Sequence, residues 1–198
     1  MNKEERHDLR DSLRETRRGL TDDQQVSAAE SLRSLVAEQD FFHKATRIAF
    51  YNGVDGEIDP KPLMEQALSE GKACFLPTLT EDNPDLVSFA PFDSDTPLSA
   101  NRWGIGEPPH EDATVSPTDF DVVFVPLVGF DAHCFRLGMG KGFYDRTFSF
   151  KIFNRRSRPM LIGLAHECQL TDSFPTASWD VRLDAVITSE KIYRPDTA

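Results

Sequence analysis

Apolar residues in the N-terminal part of the chain recur at the spacing of amphipathic helices. Leu9, Leu13 and Leu20 share one helical face within the charged stretch 3–19. Thr21 followed by Gln24 has the pattern of a capping box, which predicts that a second helix begins there. The apolar stripe expected for this second helix consists of Val26, Ala29, Leu32 and Val36. The pattern therefore predicts two N-terminal helices.

From residue 46 onward the pattern changes to short β-type runs separated by helical or turn-rich segments. Asp59-Pro60 has the pattern of a helix start and Gly71 that of a helix end, which predicts a helix over residues 60–70. The run at 121–130 is the most continuous apolar stretch of the chain. The predicted strands are 46–51, 72–76, 86–89, 121–130, 160–165 and 183–188.

Continuous apolar strands that alternate with helices are typical of a parallel sheet with both faces covered. The sequence therefore predicts an α/β fold, a single domain with a mainly parallel central sheet flanked by helices. This domain covers residues 1–198, with N-terminal helices at about 3–38 and an α/β core at about 45–194. The proline-rich residues 91–119 interrupt the pattern, and long irregular segments of this kind are often functional.

The charge balance limits where an anionic ligand can bind. The chain has 22 Lys and Arg against 33 Asp and Glu, a net charge of −11. Such an acidic surface repels phosphate backbones, which argues against nucleic-acid binding. A small anion can bind only where cations are locally concentrated.

Cysteine usage and the N-terminal residues bear on the compartment. Cys74, Cys134 and Cys168 are far apart and odd in number, which argues against a disulfide framework and favours a reducing cytoplasm. The charged first residues form no apolar signal region, and no window has the roughly 18 apolar residues of a membrane span. We expect a cytoplasmic monomer that does not engage a membrane.

A glycine-rich segment at 138–142 is the strongest candidate for a binding site. Gly138, Gly140 and Gly142 alternate with Met139 and Lys141. Positions without side chains let backbone N–H groups turn towards an anion, and the helix predicted to follow at 143–150 would add its N-terminus. The cations expected around this loop are Arg136, Lys141 and Arg146. Their presence favours phosphate binding over a mobile surface hinge.

Two common phosphate-binding templates do not fit this segment. A Walker A loop has Ser or Thr after its Gly-Lys pair, whereas Gly142 follows Lys141 here. A dinucleotide fingerprint has its third glycine one position later. The generic motif therefore names no ligand.

The segment RLGMGKGFYD at 136–145, preceded by PLVGFD at 126–131, resembles the signature of the 5-formyltetrahydrofolate cyclo-ligases, also called methenyltetrahydrofolate synthetases. The resemblance continues in order through RHDLR at 6–10, GEID at 56–59 and WDVRLD at 179–184. It implies a fold related to the phosphosugar isomerase and CoA-transferase group. It also implies the ATP- and Mg²⁺-dependent conversion of 5-formyltetrahydrofolate to 5,10-methenyltetrahydrofolate, with release of ADP and phosphate.

The implied mechanism is phosphorylation of the formyl oxygen, followed by ring closure by N10. Catalysis of such a transfer depends mainly on positioning and charge neutralisation. The resemblance assigns the neutralisation of charge to Lys141, which it places nearest the transferred group, and to Arg136. Arg6, where the family usually has lysine, and Arg10 lie on one helical face, which taken alone favours a solvated surface. The implied ATP-binding residues are Arg6, Arg10, Arg136, Leu137, Gly138, Met139, Gly140, Lys141, Gly142, Phe143 and Tyr144.

Asp145 and Asp184 match the family's magnesium positions. Mg²⁺ is commonly held by one or two carboxylates together with substrate phosphates and water. Asp145 could instead be a favourable charge in the first turn of a helix. Asp184 stands in an apolar run and could instead form a structural ion pair, for instance with an arginine.

The resemblance also implies the folate-binding residues. Glu57 would accept N–H groups of the pterin, and flat or apolar side chains would form the walls. The alternatives are a solvent-exposed acid in a turn for Glu57 and plain core positions for the aromatic residues. The implied substrate-binding residues are Asn52, Glu57, Trp103, Met139 and Phe143.

Two other functions stay open at this point. One is a phosphosugar isomerase or CoA-transferase-like enzyme, in which a glycine-rich loop also holds an anion, and the other is a non-catalytic nucleotide- or folate-binding protein. The basic residues Arg155, Arg156 and Arg158 are expected to form a solvated loop, with a folate glutamate tail as the alternative contact. Lys151, outside the glycine loop, is expected to be a dispensable position.

Overall fold

The computed structural model describes residues 1–80, 82, 84–109, 115–155 and 157–196. The two predicted N-terminal helices are present, and the capping box on Thr21 is confirmed, because its side chain accepts from Gln24 N and Gln24 Oε1 accepts from Thr21 N. Val26 departs from the expected stripe, since it is exposed and the buried positions begin at Ala29. The helices are α1 (Lys3–Arg18), α2 (Asp22–Ala37), α3 (Asp40–Lys44), α4 (Lys61–Ser69) and α5 (Phe143–Thr147).

The strands form a seven-stranded sheet and two small antiparallel pairs within the described residues. They are β1 (Arg47–Ala49), β2 (Ala73–Thr78), β3 (Ser88–Phe92), β4 (Ser99–Ala100), β5 (Gly106–Glu107), β6 (Val122–Val125), β7 (Gly129–Phe130), β8 (Arg136–Leu137), β9 (Met160–Leu164), β10 (Ala185–Ile187) and β11 (Ile192–Tyr193). The sheet order is β11-β10-β9-β6-β1-β2-β3. All pairs from β10 to β2 are parallel, and the edge strands β3 and β11 are antiparallel. The predicted mainly parallel α/β sheet is confirmed.

Both faces of the sheet are buried, but in different ways. Successive strand residues alternate between two cores, as Ile48 and Ala49 of β1 illustrate. The first core is covered by helices, with Leu32 of α2 and Leu63 of α4 fully buried. The second core is closed mainly by irregular segments and the residues that follow α5, including Phe148.

The helix predicted over residues 143–150 is shorter than expected. Helix α5 ends at Thr147, and a 3₁₀ turn covers Ser149–Ile152. Phe148 leaves the helical conformation, with φ −105° and ψ 19°, and packs fully buried in the second core. Part of the proline-rich segment forms β4 and β5, and residues 110–114 lie outside the described residues.

Helix α1 packs against the hairpin that leads into the glycine loop. Leu13 of α1 forms a small core with Val128, Leu137 and Phe174. The approach is close, because a Cβ atom on Gly129 would lie 2.5 Å from Leu13 Cδ1. A glycine at this position therefore lets α1 reach the carboxyl end of β6.

The cysteines and the helices bear on the expected absence of disulfides and of membrane spans. All three cysteines are free, which confirms that the chain has no disulfide framework. Within the described ranges, no helix combines the length and apolar character needed to cross a bilayer.

Lys151 and Asp184 form an ion pair that corrects two expectations. Lys151 is not dispensable, because its side chain is 3% exposed and its Nζ donates to the carbonyls of Ser157 and Pro159 at 3.0 and 2.7 Å. It also donates to Asp184 Oδ2 at 2.9 Å, and that oxygen accepts the Leu161 N–H at 2.7 Å. Asp184 thus lies at the amino ends of β9 and β10, in the structural ion pair raised as its alternative role, with lysine instead of arginine.

Lys151→Ala should lower the free energy of unfolding by about 3 kcal/mol, because it leaves Asp184 without its cation in a partly buried place. Urea unfolding measures this difference. The matched control is Lys61→Ala, because Lys61 is exposed and its ion pair with Glu65 is long, at 3.8 Å. This variant should lower the free energy of unfolding by less than about 0.5 kcal/mol. Equal losses for the two variants would contradict the structural role of Lys151.

Candidate active site

A cavity of about 670 Å³ opens at the carboxyl edge of the central sheet. Residues that follow β1, β2 and β6 line one side, and residues that follow β8 line the other. Ligands of open α/β sheets bind at this edge. The predicted site residues that line the cavity are Asn52, Glu57, Trp103, Arg136, Gly138, Met139, Lys141, Gly142, Phe143, Tyr144 and Asp145. The structure therefore brings most of the predicted site together.

The glycine loop, residues 138–142, owes its shape to two of its glycines. Gly140 has φ 89° and Gly142 has φ 69°, in the left-handed region that other residues rarely adopt. A Cβ atom on Gly142 would also lie 2.9 Å from Arg146 Nη1. Gly138 differs, since a Cβ atom there would have no described atom within 4 Å. The backbone thus requires glycine at the second and third positions of the motif.

Helix α1 brings Arg10 to this loop and carries Arg6 one turn earlier. Arg10 Nε donates to the Gly138 carbonyl at 2.8 Å, and a Cβ atom on Gly140 would be 3.7 Å from Arg10 Cζ. Burial and the neighbouring Arg6 lower the pKa of Arg10. Arg6 lies 3.9 Å from Asp180, and its buried Nε has no hydrogen-bond partner among the described residues. Arg10 therefore contacts the glycine loop, whereas Arg6 lies against Asp180, and both side chains are partly buried and not part of a solvated surface.

Arg136 and Asp145 form an ion pair at the wall of the cavity. Arg136 Nη2 is 2.7 Å from Asp145 Oδ1, and Arg136 Nη1 donates to the Val181 carbonyl at 3.0 Å. The Val181 N–H donates to the same Asp145 oxygen at 3.0 Å. The contacts that the described residues make with this carboxylate thus fall on Oδ1, and Oδ2 stays available.

Three residues expected at the loop or at its metal site have other roles. The Leu137 side chain is buried in the core with Leu13, so only its backbone is near the loop. Arg146 braces the loop from outside, with Nη2 donating to the Lys141 carbonyl and Nε to the Asp85 carbonyl, both at 2.8 Å. Asp184 is held by Lys151 away from the cavity.

No three His, Cys, Asp or Glu side chains in the described parts of the chain are arranged as metal ligands.

A fully buried arginine, Arg17, holds the loop after β1, and the sequence motifs assigned it no role. Arg17 Nε donates to the Asp55 carbonyl at 2.9 Å, Nη2 to Asp55 Oδ2 at 3.1 Å, and Nη1 to the Leu127 carbonyl at 3.0 Å. Arg14 and Arg18 contact the same carboxylate. Asp55 adopts φ 58°, a conformation that aspartate tolerates better than most residues. The turn-rich sequence NGVDG at residues 52–56 was the signal that could have pointed to Asp55.

Glu57 is the one acidic side chain of the cavity with a strongly raised pKa among the described residues. Its side chain is 9% exposed, Oε1 lies 3.5 Å from Arg17 Nη2, and Oε2 accepts the Val54 N–H at 3.3 Å. Burial raises the pKa of Glu57 to about 7, and Arg17 opposes this rise. Burial and Glu57 together raise the pKa of Tyr144. Glu57 is therefore a buried carboxyl beside aromatic walls and not the solvent-exposed acid of a turn.

A second carboxylate of the cavity, Glu107, positions the segment that carries Trp103. Glu107 Oε1 accepts from Asn101 Nδ2 at 2.6 Å, and Oε2 accepts the Leu79 N–H at 3.2 Å. Asn101 Oδ1 in turn accepts the Trp103 N–H at 2.9 Å. Asn52 Nδ2 donates to the Gly106 carbonyl at 2.6 Å, so its amide nitrogen is engaged by the protein. Trp103 is thus held over the cavity, with its ring 6.2 Å from that of Phe143.

The chain is similar to proteins of known activity over nearly its whole length. A protein-family model described as the 5-formyltetrahydrofolate cyclo-ligase family matches residues 2–189. The 5-formyltetrahydrofolate cyclo-ligase of Haemophilus influenzae is 36% identical over 185 residues, which cover 92% of this chain and 97% of that protein. The protein of that name from Escherichia coli K12 is 35% identical over 182 residues, covering 91% and 98%. The NMR structure of Aquifex aeolicus 5,10-methenyltetrahydrofolate synthetase has a TM-score of 0.82 at 28% identity, covering 98% of this chain and 94% of that one.

Glu57→Gln should change how the stability of the protein depends on pH. Because the pKa of Glu57 rises from 4.5 to about 7 on folding, its contribution to stability is full below pH 4.5 and is lost as the pH rises through about 7. Glutamine has no proton to lose. From pH 4.5 to about 8, the free energy of unfolding of the variant should gain on the order of 3 kcal/mol relative to the parent.

Urea unfolding of both proteins across this pH range checks the prediction. Glu65→Gln is the control, because Glu65 is an exposed helical residue near Lys61. A difference between Glu57→Gln and the parent that does not vary with pH would contradict the raised pKa.

Proposed function

This chain belongs to the 5-formyltetrahydrofolate cyclo-ligase family, and on that basis we propose that it converts 5-formyltetrahydrofolate to 5,10-methenyltetrahydrofolate while ATP becomes ADP and phosphate. The observation that carries the proposal is one cavity in which a cationic glycine loop faces a buried carboxyl, Glu57. A cationic loop suits a polyphosphate, and a buried carboxyl suits the N–H groups of a pterin.

The polyphosphate end of the cavity is the glycine loop. Arg10 and Arg136 are fixed by hydrogen bonds to the Gly138 and Val181 carbonyls, so their charges are in place before a ligand binds. Lys141 is exposed at the tip of the loop and lines the cavity, free to follow the transferred group. Preorganised cations of this kind stabilise the charge that is redistributed during phosphoryl transfer.

The folate end is bounded by Glu57, Trp103, Met139 and Phe143. The Trp103 and Phe143 rings meet edge to face, which leaves flat apolar walls for a bicyclic ring. Glu57 in its ionised form accepts pterin N–H groups, and binding of such donors favours loss of its proton. Asn52 holds β5 through its amide nitrogen, and its amide oxygen, to which no described residue donates, would face the substrate.

The proposed chemistry has two steps. The formyl oxygen attacks the γ-phosphorus of ATP, an O–P bond forms, and the bond to the β-phosphate oxygen breaks to release ADP. N10 then attacks the activated formyl carbon, a C–N bond forms, and the C–O bond breaks to release phosphate, with the N10 proton lost to solvent. Lys141 and Arg136 neutralise charge on the phosphoryl group in both steps.

Magnesium fits this site through one carboxylate. Asp145 lines the cavity beside Arg136 and keeps Oδ2 available, and Mg²⁺ needs only one or two carboxylates when phosphates and water complete its shell. The bound ion would neutralise phosphate charge. Asp184 is left out of this proposal because Lys151 occupies its carboxylate.

Family membership argues against the isomerase and CoA-transferase-like alternative, and turnover distinguishes the enzyme from a non-catalytic binding protein. Purified protein with Mg²⁺, ATP and 5-formyltetrahydrofolate should produce the near-ultraviolet absorbance of the methenyl product. Omitting either ATP or the divalent ion should abolish the product, because the formyl oxygen is not a leaving group until it is phosphorylated. Product without nucleotide would rule out the phosphorylation mechanism.

Lys141→Ala should lower kcat/KM by a factor on the order of 10²–10³, since one preorganised charge on the transferred phosphoryl group is lost. Lys141→Arg should recover part of this loss, because guanidinium is bulkier and its charge more diffuse. Lys61→Ala, on the exposed side of α4, is the control and should match the parent. Melting temperatures should stay unchanged, because Lys141 is exposed. If Lys141→Ala turns over within about threefold of the parent, Lys141 does not act on the phosphoryl group.

A further inference from the structure

The segment that ends at Val181 contacts charged residues near the glycine loop. The backbone of Val181 bonds to both members of the Arg136–Asp145 pair, through its carbonyl and its N–H, each at 3.0 Å. The preceding residue, Asp180, reaches Arg6 of α1 at 3.9 Å. This segment is therefore fixed at two points to groups that surround the glycine loop.

Trp179 stands in a tight turn of this segment with 69% of its surface exposed. The Asp180 N–H donates to the Ala177 carbonyl at 3.0 Å, and the Ala177 N–H donates to Asp180 Oδ2 at 2.8 Å. The turn is closed by these two bonds and anchored by Val181. An indole ring this exposed buries little apolar surface of its own, so core packing does not account for tryptophan here.

We propose that Trp179 is the stacking platform for the base of the nucleotide whose phosphates the glycine loop binds. The proposal rests on the proposed function and adds a subsite to it. In this proposal the base of a nucleotide bound at the glycine loop extends towards Trp179, because the next two residues, Asp180 and Val181, contact Arg6 and Arg136. The rigid turn presents a flat ring at that point, where stacking needs no hydrogen-bond groups of the protein.

This subsite has a consequence for specificity. Every base has a π-face, so stacking on one indole ring distinguishes weakly between purines and pyrimidines. Different groups of the protein then bind the base and the phosphates. Inorganic tripolyphosphate measures the phosphate contribution to affinity by itself, because it has no base.

The test uses binding in the presence of Mg²⁺, measured by calorimetry. Trp179→Ala should raise the Kd of ADP about tenfold, Trp179→Phe should raise it less, and the Kd of tripolyphosphate should stay within about twofold of the parent value for both. Lys141→Ala should weaken both ligands. Phe153→Ala is the matched control, because Phe153 is 91% exposed and lies outside both the glycine loop and the 177–181 turn.

Fluorescence gives a second readout that a general loss of stability would not reproduce. The chain has two tryptophans, so Trp103→Phe leaves Trp179 as the sole emitter. ADP should quench its emission, and tripolyphosphate, which displaces ADP, should restore it.

The outcomes distinguish a failure of the stacking platform from a failure of the proposed function. If ADP binds with Trp179 emission unchanged, or if Trp179→Ala binds ADP like the parent, the stacking platform is wrong and the proposed function stands. If the parent binds neither ADP nor tripolyphosphate, the nucleotide site itself is wrong and both proposals fall.

Discussion

The structure depends on one buried cation, the guanidinium of Arg17. A buried charge is tolerated only when its hydrogen-bonding groups are satisfied, and Arg17 finds its partners on two loops, at Asp55 after β1 and at Leu127 after β6. Because Arg17 belongs to α1, these bonds hold that helix across the carboxyl edge of the sheet. The contact of Arg10 with the glycine loop follows from this placement. The cavity is therefore shared between a helix at the start of the chain and loops from its middle.

The main elements of the fold follow from apolar spacing alone. Helices α1 and α2 and the strands from β1 to β10 of the central sheet carry periodic or continuous apolar patterns, and their order predicts a parallel sheet. The two-residue strands β4, β5, β8 and β11 are too short to show a period. The strand predicted over 121–130 is divided into β6 and β7, and β7 pairs with β8 outside the central sheet. Helix α5 ends early because Phe148 packs in the core, and local sequence does not contain that tertiary contact.

The chemistry of individual side chains could be predicted only in part. The glycine loop and most of its neighbours do line one cavity. Lys151 and Asp184 look like a surface base and a metal ligand until the fold brings them together across 33 residues. Arg17 and the Leu127 carbonyl are 110 residues apart, so no local motif contains their bond. Long-range partners of this kind decide which charged residues are structural and which remain for a ligand.

The concentration of cations at one edge of an acidic protein has a kinetic consequence. In dilute buffer a polyanion approaching from afar meets the field of a net charge of −11, which slows its encounter with the cavity. At about 0.1 M salt, counter-ions screen charges beyond a Debye length of about 10 Å, and only the nearby arginines and lysine still act on it. The same salt also weakens the attraction between these cations and the bound polyanion. Ionic strength therefore speeds both the arrival and the departure of an anionic ligand, so its exchange is faster in salt than its affinity alone would suggest.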